Sequence, residues 1–359
     1  MAGQELGYFN REQRLIEDLK SIVGDKFLGD DCAYVNGGLL LTTDTLLEGT
    51  HFLLELSTLF DIGWKAMATN LSGIAAMAGQ PRFALSALTV PASMSRRHFR
   101  ELNRGIADCA RLFDVTVVGG DITSGPLLSI TITIIGKTHE YGYLTRAGAK
   151  PGDVIVVTGQ FGLSSAALAM LLGSLPKQPP GVGERLRGGC GTLAPLDVTS
   201  KGIKQARLAY PISMNRQFRP VPRLPESWQF AKRTGRKGAL MDASDGLADA
   251  LAQIARASKV GMQVELTEVP INVETEQIAR SLQRDPMEFA LYGGEDYELV
   301  GCLAKSVWDT WNTEAGKNQL PFKKIGEVTN SGRIELLNRG QPGPKLDLEK
   351  CFQHLAKAD

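Results

Sequence analysis

Apolar residues recur at three- and four-residue spacing over 10–24, where Leu15, Ile16, Leu19, Ile22 and Val23 share one side of a predicted helix. The same spacing predicts helices over 58–79, which is rich in Ala and Met, over 95–113, over Leu163–Leu172 and over 201–218. Short apolar or β-branched runs predict strands at Leu39–Thr43, Ala84–Val90, Val115–Val118, Leu127–Gly136 and Val154–Thr158. Further strands are expected at Ala239–Met241, Gly261–Leu266, Tyr297–Cys302 and Phe322–Val328. Ser244 is placed to cap a helix that follows it. Strands and helices mix without the regular alternation of a dinucleotide-binding sheet. One α+β unit closes near residue 140 and Pro151-Gly152 opens the next. The expected division is therefore 1–140 and 141–359. Within the second unit, 173–200 is rich in Gly and Pro with almost no periodicity, so an inserted surface loop is expected over about 173–205.

The length of 359 residues suits two domains, and a hydrophobic fraction of 43% supplies their cores. Forty Lys and Arg against 39 Asp and Glu leave a net charge of +1, which argues against nucleic-acid binding by bulk charge. Five scattered Cys without a CxxC pair read as reduced thiols. The polar N-terminus has no signal-peptide character, and no apolar run approaches the ~18 residues of a membrane span. A cytoplasmic protein with no membrane partner is expected.

Candidate chemistry lies in carboxylates beside small residues at the ends of apolar strands. They are Gly29-Asp30-Asp31, Thr42-Thr43-Asp44, Gly119-Gly120-Asp121, Asp242-Ala243-Ser244-Asp245 and Gly293-Gly294-Glu295-Asp296. Gathered at one sheet edge, two such charges at 4 Å repel by about 4 kcal/mol at an effective dielectric of ~20. Hard divalent cations relieve this, and oxygen donors with few His indicate Mg²⁺, which commonly shares its shell with phosphate oxygens. Taken singly, each Asp is more often a turn former or helix cap. Asp249, four residues after Asp245, reads as solvated surface. No GxxxxGK[ST], GxGxxG or GxSxG motif occurs.

In order along the chain, GDDCA (29–33), LTTDTLLEGTHF (41–52), DIGWKAMATNLSGIAAMAG (61–79), VVGGDIT (117–123), LTRAGAKPGD (144–153), FRPVPRL (218–224), DASDGLADAL (242–251) and YGGEDYEL (292–299) resemble the thiamine-monophosphate kinase family, in the superfamily of aminoimidazole ribonucleotide synthetase. The resemblance implies an α+β/α/β two-domain fold of the aminoimidazole ribonucleotide synthetase type, with an N-terminal mixed sheet covered by helices and a C-terminal α/β domain. It implies a homodimer with ATP near the subunit interface, and Mg²⁺-dependent in-line transfer of the ATP γ-phosphoryl to thiamine monophosphate. By motif it assigns Asp31, Thr42, Thr43, Asp44, Asp121, Asp242 and Asp245 to metal. Gly120, Asp121, Arg146 and Ser244 are assigned to ATP, and His51, Glu295 and Phe352 to thiamine monophosphate. Asp44 and Asp121 are the expected catalytic carboxylates.

One departure stands out. Where the family pattern reads Asn-Leu-Ser-Asp, this chain reads Asn70-Leu71-Ser72-Gly73. The missing carboxylate is one that family members use to bridge metals. Three consequences are open: water replaces it, metal stoichiometry and turnover fall, or the chain binds nucleotide or thiamine phosphate without catalysis.

Overall fold

The computed structural model describes residues 11–174, 201–315 and 320–352. Most of the insert expected at 173–205 lies outside the described residues. Helix α1 (Arg11–Val23) carries the predicted apolar stripe, yet none of its residues is buried.

The first sheet joins β1 (Ala33–Val35), β2 (Leu39–Leu47), β3 (Gly79–Val90), β4 (Thr116–Ser124) and β5 (Ser129–Thr138) in the order β1-β2-β5-β3-β4. All its pairs are antiparallel except β3–β4. Alternation along β5 sets the inner face: Ile130, Ile132 and Ile134 are fully buried, while Thr131 and Thr133 between them are not. Helices α2 (Leu59–Ala76) and α3 (Arg96–Leu112) pack on that inner side, capped by Thr58 and Ser95. They meet backbone to backbone. A Cβ on Gly63 would stand 2.0 Å from the Leu102 carbonyl oxygen, and one on Gly105 would stand 2.0 Å from that of Phe60.

The second sheet has the order β12-β11-β8-β10-β6-β9-β7. Its strands are β6 (Asp153–Thr158), β7 (Ala239–Asp242), β8 (Gly261–Glu265), β9 (Leu299–Ala304), β10 (Phe322–Thr329), β11 (Ile334–Asn338) and β12 (Gln341–Pro342). Strand β6 is buried on both faces. Val154 and Val156 join the core that contains α2, while Ile155 and Val157 join a second core under the helix Leu247–Ser258. Helix α2 is thus enclosed between the two halves, which explains its nearly continuous burial.

The strand expected to end at Gly119-Gly120-Asp121 instead runs through these residues. Pairing with β3 continues from Phe83↔Thr116 to Val90↔Ser124, with an irregularity after Ala84. A Cβ on Gly120 would lie 1.8 Å from the Ser86 carbonyl oxygen, so glycine permits this close approach. Asp44 likewise sits inside β2 rather than at its end. Ser244 does not cap the next helix; Gly246 holds the N-cap position, without a side-chain bond.

Candidate active site

Helix α2 presents Asp61, Lys65, Thr69 and Gly73 at four-residue spacing to one cavity of about 720 Å³. At 1.5 Å per residue that stripe spans about 18 Å. The cavity is therefore a long trough whose ends differ in chemistry.

At the Gly73 end, a Cβ on Gly73 would meet Thr42 Oγ1 at 3.2 Å and the Asp31 carbonyl oxygen at 3.3 Å. Strand β2 delivers Thr42 and Asp44 to the side of the sheet that faces α2, and Asn70 Oδ1 accepts the Asp44 backbone N–H at 2.9 Å. From the second sheet β7 ends on Asp242, whose Oδ2 accepts from Ser72 Oγ at 2.5 Å. Burial first, and then Asp31, pushes the Asp242 carboxyl up to about 7, although Ser72 pulls it down. Asp245 is also raised well above the ordinary carboxyl range, by burial and then by Asp249. Arg146 answers part of this charge. Its Nη2 reaches Asp31 Oδ1 at 2.8 Å and its Nε reaches Oδ2 at 3.3 Å. Burial would lower the guanidinium pKa, but Asp31 holds it above its ordinary value.

The Lys65 end carries the other set. Lys65 Nζ stands 2.5 Å from Glu295 Oε1, and Gln217 Nε2 donates to Glu295 Oε2 at 3.2 Å. Glu295 and Tyr297 both have positive φ, +69° and +51°. This strained turn is held by Glu295 N–H on the Ser244 carbonyl at 2.6 Å and by Asp296, whose carboxylate accepts from the Gly162 and Ser164 N–H groups at 2.7 and 3.2 Å. Those two donors begin the helix Leu163–Ser174. Leu53, Leu56, Leu171 and Phe218 form an apolar wall nearby. His51 Nδ1 accepts the Leu47 N–H at 3.0 Å, which assigns the proton of the neutral ring to Nε2. Beyond Lys65, Asp61 accepts from Arg207 at 2.7 Å and from Arg219 at 2.5 Å.

The trough therefore gathers Asp31, Thr42, Asp44, His51, Arg146, Asp242, Ser244, Asp245, Glu295 and Phe352. Thr43 also borders it, but its hydroxyl turns to the far side of the sheet and bonds Thr133 Oγ1 at 3.0 Å. Gly120 and Asp121 do not border it. Asp121 pairs with Ala87 in a row that continues to Thr131 and Thr45, all on the outer face, whereas Asp44 lies on the inner face. Residues with no assignment from sequence also line the trough, among them Lys65, Tyr297 and Gln253. Asp249 joins them and is half-buried rather than solvated. The signal for Asp249 and Gln253 was their four-residue spacing after Asp245.

The donor set suits a hard cation, since it consists of carboxylate and hydroxyl oxygens, and neighbouring carboxylates add to burial in raising Asp242 and Asp245. Among the described residues, no three His, Cys, Asp or Glu side chains already converge as a ligand group. Asp31 faces Arg146 and Asp242 faces Ser72. No described helix is long and apolar enough to cross a membrane.

Comparison with known proteins gives concordant results. The AIR synthase related protein family matches twice, its N-terminal domain over residues 29–138 and its C-terminal domain over 200–337. The thiamine-monophosphate kinase of Bacillus subtilis is 30% identical over 335 residues, covering 92% of this chain and 93% of its own. That of Escherichia coli K12 is 33% identical, covering 92% and 91%. Among solved structures, AaThiL complexed with AMPPCP and TMP superposes with a TM-score of 0.73 at 27% identity, covering 94% of this chain and 97% of the other. Thiamine monophosphate kinase from Aquifex aeolicus gives 0.73 at 28%, covering 96% and 100%.

Proposed function

This chain belongs to the thiamine-monophosphate kinase family, and from that premise we propose that it transfers the γ-phosphoryl group of ATP to thiamine monophosphate, with Mg²⁺, yielding thiamine diphosphate and ADP. The observation that carries this reading is the two-ended trough along α2, with carboxylates and Arg146 at one end and Lys65, Glu295, His51 and an apolar wall at the other.

In this reading, a phosphate oxygen of thiamine monophosphate attacks the γ-phosphorus in line, and the bond to the β–γ bridging oxygen breaks. Such a reaction asks for alignment and charge neutralisation more than for covalent help. Arg146 offers N–H donors to the nucleotide phosphates. His51 Nε2–H is a donor for the acceptor phosphate. Glu295 supplies a carboxylate for the cationic thiamine, and Lys65 and Gln217 fix its rotamer. Phe352, which borders the trough, would offer its ring face to the thiazolium. The apolar wall excludes water from the transfer. Asp31, Thr42, Asp44, Asp242 and Asp245 would hold Mg²⁺, Asp31 through lone pairs that Arg146 leaves open and Asp242 on turning from Ser72. Bound Mg²⁺ supplies positive charge to the phosphate oxygens.

Two further parts of the reading concern assembly. A division near residue 140 puts Asp31, Thr42 and Asp44 in the N-terminal half, while Arg146, Asp242 and Asp245 reach the same trough from the C-terminal half. A twofold partner would cover the outer face of the first sheet, where Leu39, Phe83 and Leu85 are exposed. Gly120 and Asp121, on the neighbouring edge strand, would then serve ATP and metal at the subunit interface.

A second reading rests on Gly73. Without a carboxylate beside Thr42 and Asp31, the chain would bind nucleotide and thiamine phosphate but turn over weakly or not at all. A coupled ADP-release assay with Mg²⁺, ATP and thiamine monophosphate, scored also for thiamine diphosphate, separates the two. Equal amounts of both products support the kinase, with Asp44→Asn expected to abolish them. Binding without product supports the second reading.

A further inference from the structure

Arg146 is held by more than its carboxylate partner. Its backbone is docked by the helix Leu247–Ser258: Ser258 Oγ donates to the Arg146 carbonyl at 3.2 Å and accepts from the Gly148 and Ala149 N–H groups at 3.1 Å each. Its N–H bonds Asp30 Oδ1 at 2.8 Å. The guanidinium is gripped from the same helix five residues earlier, where Nη1 donates to Gln253 Oε1. Gln253 Nε2 in turn donates to Asp249 Oδ2, one helical turn back.

This chain of bonds has a direction. A glutamine amide that donates to a carboxylate must present its oxygen to the next group, and a guanidinium is a donor with no acceptor. Asp249 therefore sets which end of Gln253 meets Arg146. Gln253 also stands between Arg146 and a second carboxylate that would otherwise compete with Asp31 for it. With Nε and Nη2 on Asp31 and one Nη1 hydrogen on Gln253, one N–H remains on each of Nη1 and Nη2 for a ligand.

We propose that Gln253, oriented by Asp249, is a positioning residue that aims Arg146 at the nucleotide phosphates. This rests on the reading that Arg146 contacts ATP. An ordinary pair on a helix surface would also place Gln253 against Asp249, but it would not explain the bond to Arg146 on the trough wall.

The test is calorimetric affinity for the ATP analogue AMPPCP and, separately, for thiamine monophosphate, so that it holds whether or not Gly73 permits turnover. Gln253→Leu is expected to weaken AMPPCP binding about tenfold, the scale of one misaligned charge-assisted hydrogen bond, and to leave thiamine monophosphate affinity within about twofold. Gln253→Glu sets two carboxylates four residues apart and should also weaken AMPPCP binding. In the double variant Asp249→Asn/Gln253→Glu the amide at 249 donates to the carboxylate at 253, which again accepts from Arg146, and affinity should return to within about threefold of the parent. If Arg146→Ala weakens AMPPCP binding while Gln253→Leu does not, the proposal is overturned and the role of Arg146 stands. If Arg146→Ala leaves AMPPCP affinity unchanged, the underlying reading fails and the proposal falls with it. If Gln253→Leu weakens both ligands alike with a lower melting temperature, or the swap does not rescue, Gln253 is structural only and the proposal is overturned.

Discussion

Restoring a carboxylate at position 73 tests the acidic end of the trough most directly. In Gly73→Asp, the new Cβ meets Thr42 Oγ1 at 3.2 Å and the Asp31 carbonyl oxygen at 3.3 Å, so those neighbours must give by a few tenths of an ångström. Gly73→Ala isolates that steric step. The added charge then enters the cavity that Asp31, Asp44 and Asp242 also line. Asp31 is offset by Arg146, and burial together with Asp31 shifts Asp242 toward its protonated form. Asp44 is left as the main source of repulsion, worth roughly 3 kcal/mol at about 5 Å and an effective dielectric of ~20. At about 2.1 cal/mol/K of unfolding entropy per residue, each kcal/mol moves the melting temperature of a chain this long by roughly 1.3 °C, so Gly73→Asp in EDTA should melt about 4 °C below Gly73→Ala. Saturating Mg²⁺ should reverse the order, because the extra carboxylate becomes a ligand, and turnover should rise above that of the parent. Thermal unfolding with EDTA and with Mg²⁺, followed by the coupled assay, reads all three. Equal melting of the two variants in EDTA would refute the electrostatic reasoning. An equal Mg²⁺ response would refute the metal site, and unchanged turnover would refute the significance given to Gly73.

Mixing Asp44→Asn chains with Asp121→Asn chains should restore about one quarter of parent activity, because in the proposed dimer half the pairs would be hybrids with one intact site of two; no recovery would place both residues in the service of one chain. Lys65→Met leaves the Glu295 carboxylate without its cation and should cost about 3 kcal/mol in denaturant unfolding, with a smaller loss in Lys65→Met/Glu295→Gln. Equal losses would show that the pair is not coupled. Burial pushes the Asp296 carboxyl from 3.8 up to about 7, against bonds from Gly162 and Ser164. The folded state then keeps a proton that the unfolded chain has lost, so stability falls as pH rises from about 4 to about 7, by up to ~1.4 kcal/mol per unit. Asp296→Asn should flatten that slope, and parallel stability curves for the two proteins would contradict it.

Much of the acidic end was legible because it is local: Asp31, Asp44, Asp242 and Asp245 sit in short motifs whose small neighbours mark them. Asp121 was legible as a residue but not as a position. Its face depends on the parity of β4 against β3, and the irregularity after Ala84 resets that parity. No count along one strand reveals this. Lys65 was hidden by its setting in an apolar helix, where the partner that explains it is Glu295, far along the chain. The helices Leu224–Thr234, Val273–Ser281, Pro286–Tyr292 and Lys305–Ala315 escaped prediction because they are short and bury only a few anchors, such as Trp308 and Trp311. The order of the seven-stranded sheet is a matter of long-range pairing that periodicity does not encode.

The glycine crossing of α2 and α3 has a consequence for how such a site can change. Lys65, Thr69, Asn70 and Ser72 all ride on α2, and the depth at which that helix sits is fixed from behind, where Gly63 and Gly105 let two backbones touch. One methyl group at either glycine would act as a shim, moving the whole row of trough residues toward the ligands without altering any of them. The calibration of this site is therefore kept on the side of the helix that no substrate reaches, and random mutagenesis should recover loss-of-function changes there as readily as among the carboxylates.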